Sequence, residues 1–277
     1  MDLSIIIVNY KCRDLVKVCI NNLKAALASN KNNDLRYEII VVDNDSNDGI
    51  KDMLFKNFPE VKFIQLAENK GYGGGNNAGI KTARGKYVLI LNPDVMVLEG
   101  AIEKMRAFME AHPEIGILGP QLLNPDGTIQ PSCMRFYKFF TPVCRRLAFL
   151  QYLSFVKKEL ARFEMGDFDH KKNQEIEDWI FGPCLMVRKK AIDEAGCFDE
   201  RFLLFFEDTD LCRRFKLAGW KIYYLADAKV IHMDERLSQK SKGLKALRHK
   251  TTWIHISSWI KYFWKWRAQE NKKTRKQ

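Results

Sequence analysis

Residues 67–94 read AENKGYGGGNNAGIKTARGKYVLILNPD, and what this stretch holds settles which α/β fold the chain adopts. Gly73, Gly75 and Ala78 fit G-x-G-x-x-A, the pattern of a dinucleotide-binding loop. In such a loop the glycines come directly off the first strand, and a long crossover helix follows. Here AENK separates the apolar run VKFIQL from the glycines, the unit is the third along the chain, and NNAGIKTA is a short helix that Asn77 begins. The dinucleotide reading therefore fails. Glycines at 73 to 75 still let a ligand approach the backbone closely. Two strand-like runs also end in carboxylates, YEIIVVD in Asp43 and YVLILNPD in Asp94. In an open α/β sheet the carboxyl ends of the strands share one crevice, so both acids face one ligand.

Towards the N-terminus, LSIIIVNY is a continuous apolar run, as expected of a strand covered on both faces. DLVKVCINNLKAALA has helical spacing with Asp14 as its expected N-cap, and SNDGIKDMLFKNF and LEGAIEKMRAFMEAH are further helices. IGILGPQLL is another strand, which makes the order βαβαβαβ. That order predicts an α/β fold: a doubly wound, mainly parallel sheet with helices on both faces. The second half is less regular, with WIFGPCLMVRK as a strand, DTDLCRRFKLAG as a helix closed by Gly219, and KIYYLADAKVIH as a strand. The expected organisation is a domain over 1–235, with a ligand half at 1–125 and a second half at 126–235, followed by a tail at 236–277.

The chain has 277 residues and a net charge of +12. From Arg236 onward there are thirteen Lys and Arg against one acid, Glu270, so the whole excess sits in the tail and the body is neutral. A neutral body without a basic groove counts against nucleic acid as a partner. The seven cysteines form no C-x-x-C pair and read as reduced core thiols of a cytosolic protein. No apolar run has the length of a membrane span, and the N-terminus does not read as a signal peptide.

SIIIVNY, VVDNDSNDG, NKGYGGGNNAG, LNPDV, GPCLMVRKKAIDEAGCFDERFLLFFEDTDLCRRFKLAGW and the final IH together resemble family 2 glycosyltransferases across residues 3 to 233. These are inverting enzymes of the GT-A fold, and the NPD form resembles their rhamnosyltransferase-like branch. The resemblance implies a nucleotide-sugar donor, dTDP or UDP, and a divalent cation, magnesium or manganese, held by Asp94 and His232. Asn92 stands where the family's D-x-D motif has its first Asp. If no metal were used, Arg213 or Arg214 would have to neutralise the diphosphate. By the same resemblance Asp43 takes the role of pyrimidine ligand, Asn69, Gly71 and Asn77 line the donor, Asp208 is the catalytic base, and Glu207 and Trp179 contact the acceptor. Asp210 braces its helix. No Q-x-x-R-W follows the base, so a single sugar is transferred. The favoured reaction moves L-rhamnose from a dTDP donor to a polysaccharide or lipid-linked saccharide. A UDP-hexose or UDP-GlcNAc transferase is the alternative, with a sugar-binding homologue lacking activity and a basic nucleic-acid-binding protein as non-enzymatic rivals.

On a helical wheel the tail places Trp253, Ile256, Trp259, Ile260, Phe263, Trp264 and Trp266 on one broad apolar face, with Lys261 and Lys265 opposite. Tryptophans at headgroup depth beside basic residues describe a helix lying on an anionic membrane surface. The corresponding expectation is a cytoplasmic protein attached peripherally to the inner face of the cell membrane. A helix docked on the catalytic domain is the competing reading.

Overall fold

The apolar runs become strands whose side chains are covered from both sides. β1 (Leu3–Asn9), β2 (Tyr37–Asp43), β3 (Lys62–Gln65) and β4 (Tyr87–Leu91) pair in parallel in the order β3-β2-β1-β4. Ile5, Ile6 and Ile7 are all fully buried, which explains why β1 shows no polar alternation. The computed structural model describes residues 1–28, 35–147, 150, 152–233 and 249–274, the side chains of 268–274 excepted. The boundary drawn at 235 and the side chains of the run KKTRK lie outside the described residues.

The connecting helices are α1 (Arg13–Ala28), α2 (Ile50–Asn57) and α3 (Gly71–Ile80). α1 starts at Arg13, so Asp14 is in the first turn and is not the cap. The capping carboxylate comes from further along the chain, where Asp48 Oδ2 accepts the Arg13 N–H at 3.2 Å. α3 departs further from expectation. The glycines are the helix, and Asn77 sits inside it. Glycine is a poor helix former, so packing has to hold this segment. A Cβ at Gly75 would come within 2.8 Å of Val8, and one at Gly79 within 2.6 Å of Ile6, so the missing side chains let the helix lie directly on β1.

After β4 come β5 (Val95–Val97), α4 (Ala101–Ala111), β6 (Ile115–Leu123), β7 (Ile129–Gln130), β8 (Cys133–Met134), α5 (Thr141–Arg146) and α6 (Ser154–Phe163). β9 (Gln174–Glu175), β10 (Trp179–Ile180), β11 (Cys184–Arg188), α7 (Lys189–Ala195), α8 (Glu207–Leu217), β12 (Lys221–His232) and α9 (Lys250–Thr274) follow. The run WIFGPCLMVRK is therefore two strands, broken where Gly182–Pro183 leaves the ladder; Pro has no N–H to donate. The main sheet continues β4-β11-β6-β12-β5. β11 lies antiparallel to both β4 and β6, and β5 antiparallel to β12, so the sheet is mixed and mostly parallel. One apolar layer sits under α1 and α4, around Ile20, Leu23, Ile102 and Met105. The other lies under α7 and α8, around Val88, Ile90, Ile192 and Phe215.

α9 confirms a helix in the tail and revises its orientation. Tyr262 and Trp266 are buried with Phe202 and Phe206 in a third apolar cluster, so part of the apolar face packs on the protein. Lys261 and Lys265 do not point away. Lys261 Nζ donates to the Arg201 carbonyl at 3.0 Å, and Lys265 reaches Asp199 at 2.8 Å and Asp210 at 2.6 Å. The outward stripe is Trp253, Ile260 and Trp264, the last 82 % exposed. No described helix is long and apolar enough to cross a membrane.

Candidate active site

The pairing of β5 with β12 builds the first half of the site. Register sets Val95 opposite His232, and the Met233 N–H donates to the Asp94 carbonyl at 2.9 Å. Asp94 Oδ2 consequently lies 3.5 Å from His232 Nε2, while Asp94 Oδ1 is buried without a hydrogen-bond partner. His232 is itself buried, and its Nδ1 is 2.9 Å from Gln130 Oε1. An amide oxygen only accepts, so Nδ1 carries the proton and the Nε2 lone pair faces Asp94. An orphaned carboxylate oxygen beside an imidazole oriented through its other nitrogen is donor chemistry that suits a divalent cation. Among the described residues no group of three or more His, Cys, Asp and Glu forms a cage. Two protein ligands fit a cation that takes its remaining oxygens from substrate phosphates and water. Asn92 contributes through its backbone, with its N–H on the Pro183 carbonyl at 2.8 Å and its carbonyl accepting from Val95.

The second half is the first turn of α8. Glu207 and Asp208 are both buried, at 6 % and 8 % exposure. Asp208 Oδ1 accepts the Thr209 N–H at 2.7 Å, and its Cβ lies 3.3 Å from where a Cβ at Gly182 would stand. Any side chain at 182 would press on this carboxylate, which gives the glycine before Pro183 its reason. Burial pushes Asp208 up from 3.8 to about 6, with hydrogen bonds from Thr209 and Gly182 working the other way. Glu207 is pushed well above the ordinary carboxylate range, first by burial and then by the charge of Asp208, and its Oε2 has no partner. At about 6, Asp208 is ionised by neutral pH, beside a Glu207 whose charged form burial disfavours.

Tyr72 joins the halves. Its hydroxyl donates to the Gly182 carbonyl at 2.9 Å, and its phenol is pushed well above 10 by burial and then by the charges of Glu207, Asp208 and Asp94. Gly182 abuts Asp208 and the Pro183 carbonyl accepts the Asn92 N–H, so Gly182–Pro183 runs between the acid pair and the strand end that carries Asp94.

At the far side, Asp43 accepts from Asn9 at 2.8 Å, Gln65 at 2.9 Å and the Ser46 N–H at 3.3 Å. A carboxylate offers about four acceptor positions, which leaves one for a ligand. Asn69 Oδ1 accepts from Asn44 and from the Gly71 N–H, and Asn44 also bonds the Gly71 carbonyl, so these residues form a latched turn. Gly71 has φ +73, and a Cβ there would stand 2.1 Å from the Leu203 carbonyl oxygen.

Two expected site residues are otherwise engaged. Asn77 bonds the Phe198 carbonyl and Glu200 at 2.9 Å each and accepts the Phe198 N–H at 3.0 Å, so its side chain holds the 198–200 loop against α3. Trp179 is buried, with its ring stacked on Tyr137 at 5.7 Å and its indole N–H on the Arg135 carbonyl. No face of Trp179 is left for a sugar. Arg214 is taken up by Asp210 and the carbonyls of Ala195, Gly196 and Cys197, and Arg213 stacks on Trp266 at 4.3 Å, so neither faces Asp94. Tyr72 and Gln130 escape a reading of the sequence. An aromatic residue among glycines is a usable signal for Tyr72; Gln130 lies 102 residues from His232 and has none.

Residues 4–194 match the model of glycosyl transferase family 2, and the chain belongs to that family. It is a family 2 glycosyltransferase, and rhamnosyltransferases are among its relatives in sequence. It is 26% identical over 247 residues to the N-acetylglucosaminyl-diphospho-decaprenol L-rhamnosyltransferase of Mycobacterium tuberculosis, covering 82% of this chain and 76% of that one. With the rhamnosyltransferase WbbL of Escherichia coli it shares 24% identity over 275 residues, covering 97% and 95% of the two chains. The dTDP-rhamnosyl transferase RfbF of Shigella flexneri is 23% identical over 218 residues, covering 76% of this chain and 64% of its own. In structure the chain is similar to residues 1–349 of TarS from S. aureus in complex with UDP, with a TM-score of 0.58 at 18% identity. That likeness covers 84% of this chain and 60% of the TarS chain, and it establishes the GT-A architecture.

Proposed function

We propose that this protein transfers a single L-rhamnosyl residue, with inversion, from a dTDP donor to a lipid-linked saccharide. The observation that carries the proposal is the buried pair Glu207–Asp208, joined through Tyr72, Gly182–Pro183 and Asn92 to the strand end where Asp94 meets His232. Asp208 accepts the proton of the acceptor hydroxyl as its oxygen attacks the anomeric carbon. The bond from that carbon to the diphosphate oxygen breaks, and the nucleoside diphosphate leaves with the electron pair. Glu207 hydrogen-bonds the acceptor and orients the attacking hydroxyl. Asp43 uses its remaining acceptor position for the imide N–H of thymine, a contact that uracil also offers. Asp94 and His232 would hold a divalent cation, which supplies the positive charge needed by the departing diphosphate.

The rhamnose part of the reading draws support from the names of the relatives in M. tuberculosis, E. coli and S. flexneri, and the lipid-linked part from the M. tuberculosis name alone. A UDP donor is the second reading, favoured by the solved TarS complexes with UDP and UDP-GlcNAc. A lipid-linked acceptor also gives a use for the outward stripe of α9. Trp253, Ile260 and Trp264 are exposed, as are Phe139 and Phe140, and Phe139 packs on Trp259 at 5.0 Å. Together with the basic excess of the tail this surface suits an anionic membrane, with the protein held peripherally on its inner face.

The test is a panel of nucleotide sugars offered with a polyprenyl-diphosphate saccharide acceptor, with NMR reading the anomeric configuration of the product. An inverted rhamnoside formed from the dTDP donor is the expected outcome. A retained configuration refutes the mechanism, and turnover confined to UDP donors moves the assignment to the second reading.

A further inference from the structure

Behind the acid pair the structure carries two costs that the catalytic cleft does not explain. Asp210 lies two residues after Asp208 on α8, which at about 100° per residue turns it to the back of the helix. It is fully buried. A buried carboxylate is strongly unfavourable unless it is well paired. Its partners are Arg214 Nε at 2.9 Å, Lys265 Nζ at 2.6 Å and the Trp266 indole N–H at 3.0 Å. Two of the three come from α9. The second cost is in the backbone directly before the acids. Phe205 and Phe206 both have φ of 68, a left-handed conformation that bulky residues avoid. Strain of that kind persists only where the surroundings over-determine it. Here α9 supplies them: His255 packs on Phe205 at 4.8 Å, and Tyr262 packs on Phe206 at 5.2 Å. Ser258 also ties the turn, donating to the Leu204 carbonyl at 2.9 Å.

We infer that α9 is a positioning element of the catalytic machinery, holding the strained Phe205–Phe206 turn and the back of α8 so that Glu207 and Asp208 are presented to the cleft. Lys265 and Trp266 are its main positioning residues, acting through Asp210. The inference rests on Asp208 being the base. It also explains why the Lys265 side chain is turned to the inner side of a helix whose other described cations lie at the surface: its ammonium answers Asp199 and Asp210 together.

The experiment uses the full chain. Lys265→Met leaves Asp210 underpaired, and Trp266→Phe removes one hydrogen bond while keeping ring packing. Lys265→Met should lower kcat about tenfold with donor KM within about twofold, and Trp266→Phe should lower it about two- to threefold. Lys265→Arg should recover most of the loss. Adding Asp210→Asn to Lys265→Met should restore part of kcat, because the stranded charge is gone; that coupling is read from the double-mutant cycle. In parallel, amide exchange at Thr209 and Asp210 should speed up in Lys265→Met while the amides of β1 and β4 stay protected. Unchanged kcat, strictly additive losses, or unchanged exchange in the first turn of α8 overturns the inference. If the parent chain transfers no sugar from any donor, the proposed function fails instead, and the exchange measurement still decides whether α9 holds this turn.

Discussion

Replacing Asp208 by Asn should separate activity from stability in opposite directions. The carboxamide is nearly isosteric, and its oxygen can still accept the Thr209 N–H that Asp208 takes at 2.7 Å. What disappears is the proton acceptor. Loss of a general base costs at least about 100-fold in kcat, or about 2.7 kcal/mol of barrier. Donor KM should hold, because the base acts on the acceptor. Stability should move the other way. Burial raises Asp208 from 3.8 to about 6, so the fold favours its protonated form. That contribution is fully present below the unfolded value and is lost as pH rises through the folded value. The gap between the two values corresponds to roughly 3 kcal/mol by about pH 8. The amide does not titrate, so the variant should be more stable than its parent at about pH 8, and the gain should shrink as pH falls toward about 4. Steady-state kinetics and denaturant unfolding at several pH values read both effects. A variant with parental kcat removes Asp208 from the base role. A variant whose extra stability does not change with pH refutes the claim that the carboxylate sits ionised in a buried site.

The hydrogen bond behind His232 offers a test of the cation that leaves both proposed ligands in place. Gln130→Ala frees His232 Nδ1, and the concentration of magnesium or manganese needed for half-maximal activity should rise about 10–100-fold; unchanged dependence, or full activity in EDTA, removes the cation from Asp94 and His232. On the membrane, the full chain should pellet with anionic liposomes at low salt and be partly released at high salt. Trp264→Ser with Ile260→Ser should weaken pelleting several-fold while leaving transfer to a soluble acceptor intact, whereas equal pelleting of parent and variant denies the outward stripe of α9 a role.

How much of the molecule is legible in the sequence follows from the range of the forces involved. β1, β2 and β4 are continuous apolar runs, and β12 appears at its observed bounds because alternation and turn signals act locally. Linked motifs point to Asp94, Glu207, Asp208 and His232, and strand register explains why motifs far apart in sequence meet. The sequence misleads at α3 because its glycines have poor helix propensity, and only contact with Val8 and Ile6 makes the helix. It misleads at Trp179 and Asn77 for a related reason: sequence shows which groups a residue can offer but not which neighbour takes them. A wheel drawn for the tail places Lys265 in solvent because Asp199 and Asp210, far earlier in the chain, do not enter a local pattern.

The antiparallel insertion of β11 bears on how the chain is made. β4 and β6 are complete by residue 123, yet they never pair with each other; the strand between them begins at Cys184. While the ribosome adds the intervening residues, both strands present open hydrogen-bonding edges, the feature that invites pairing with other chains. β6 gains its second long neighbour only when β12 emerges after Lys221. The N-terminal half is therefore not a unit that can finish early and wait. Its sheet closes late, from the C-terminal side, and a nascent chain stalled between residues 123 and 184 is the species in which a chaperone would find the most exposed edge.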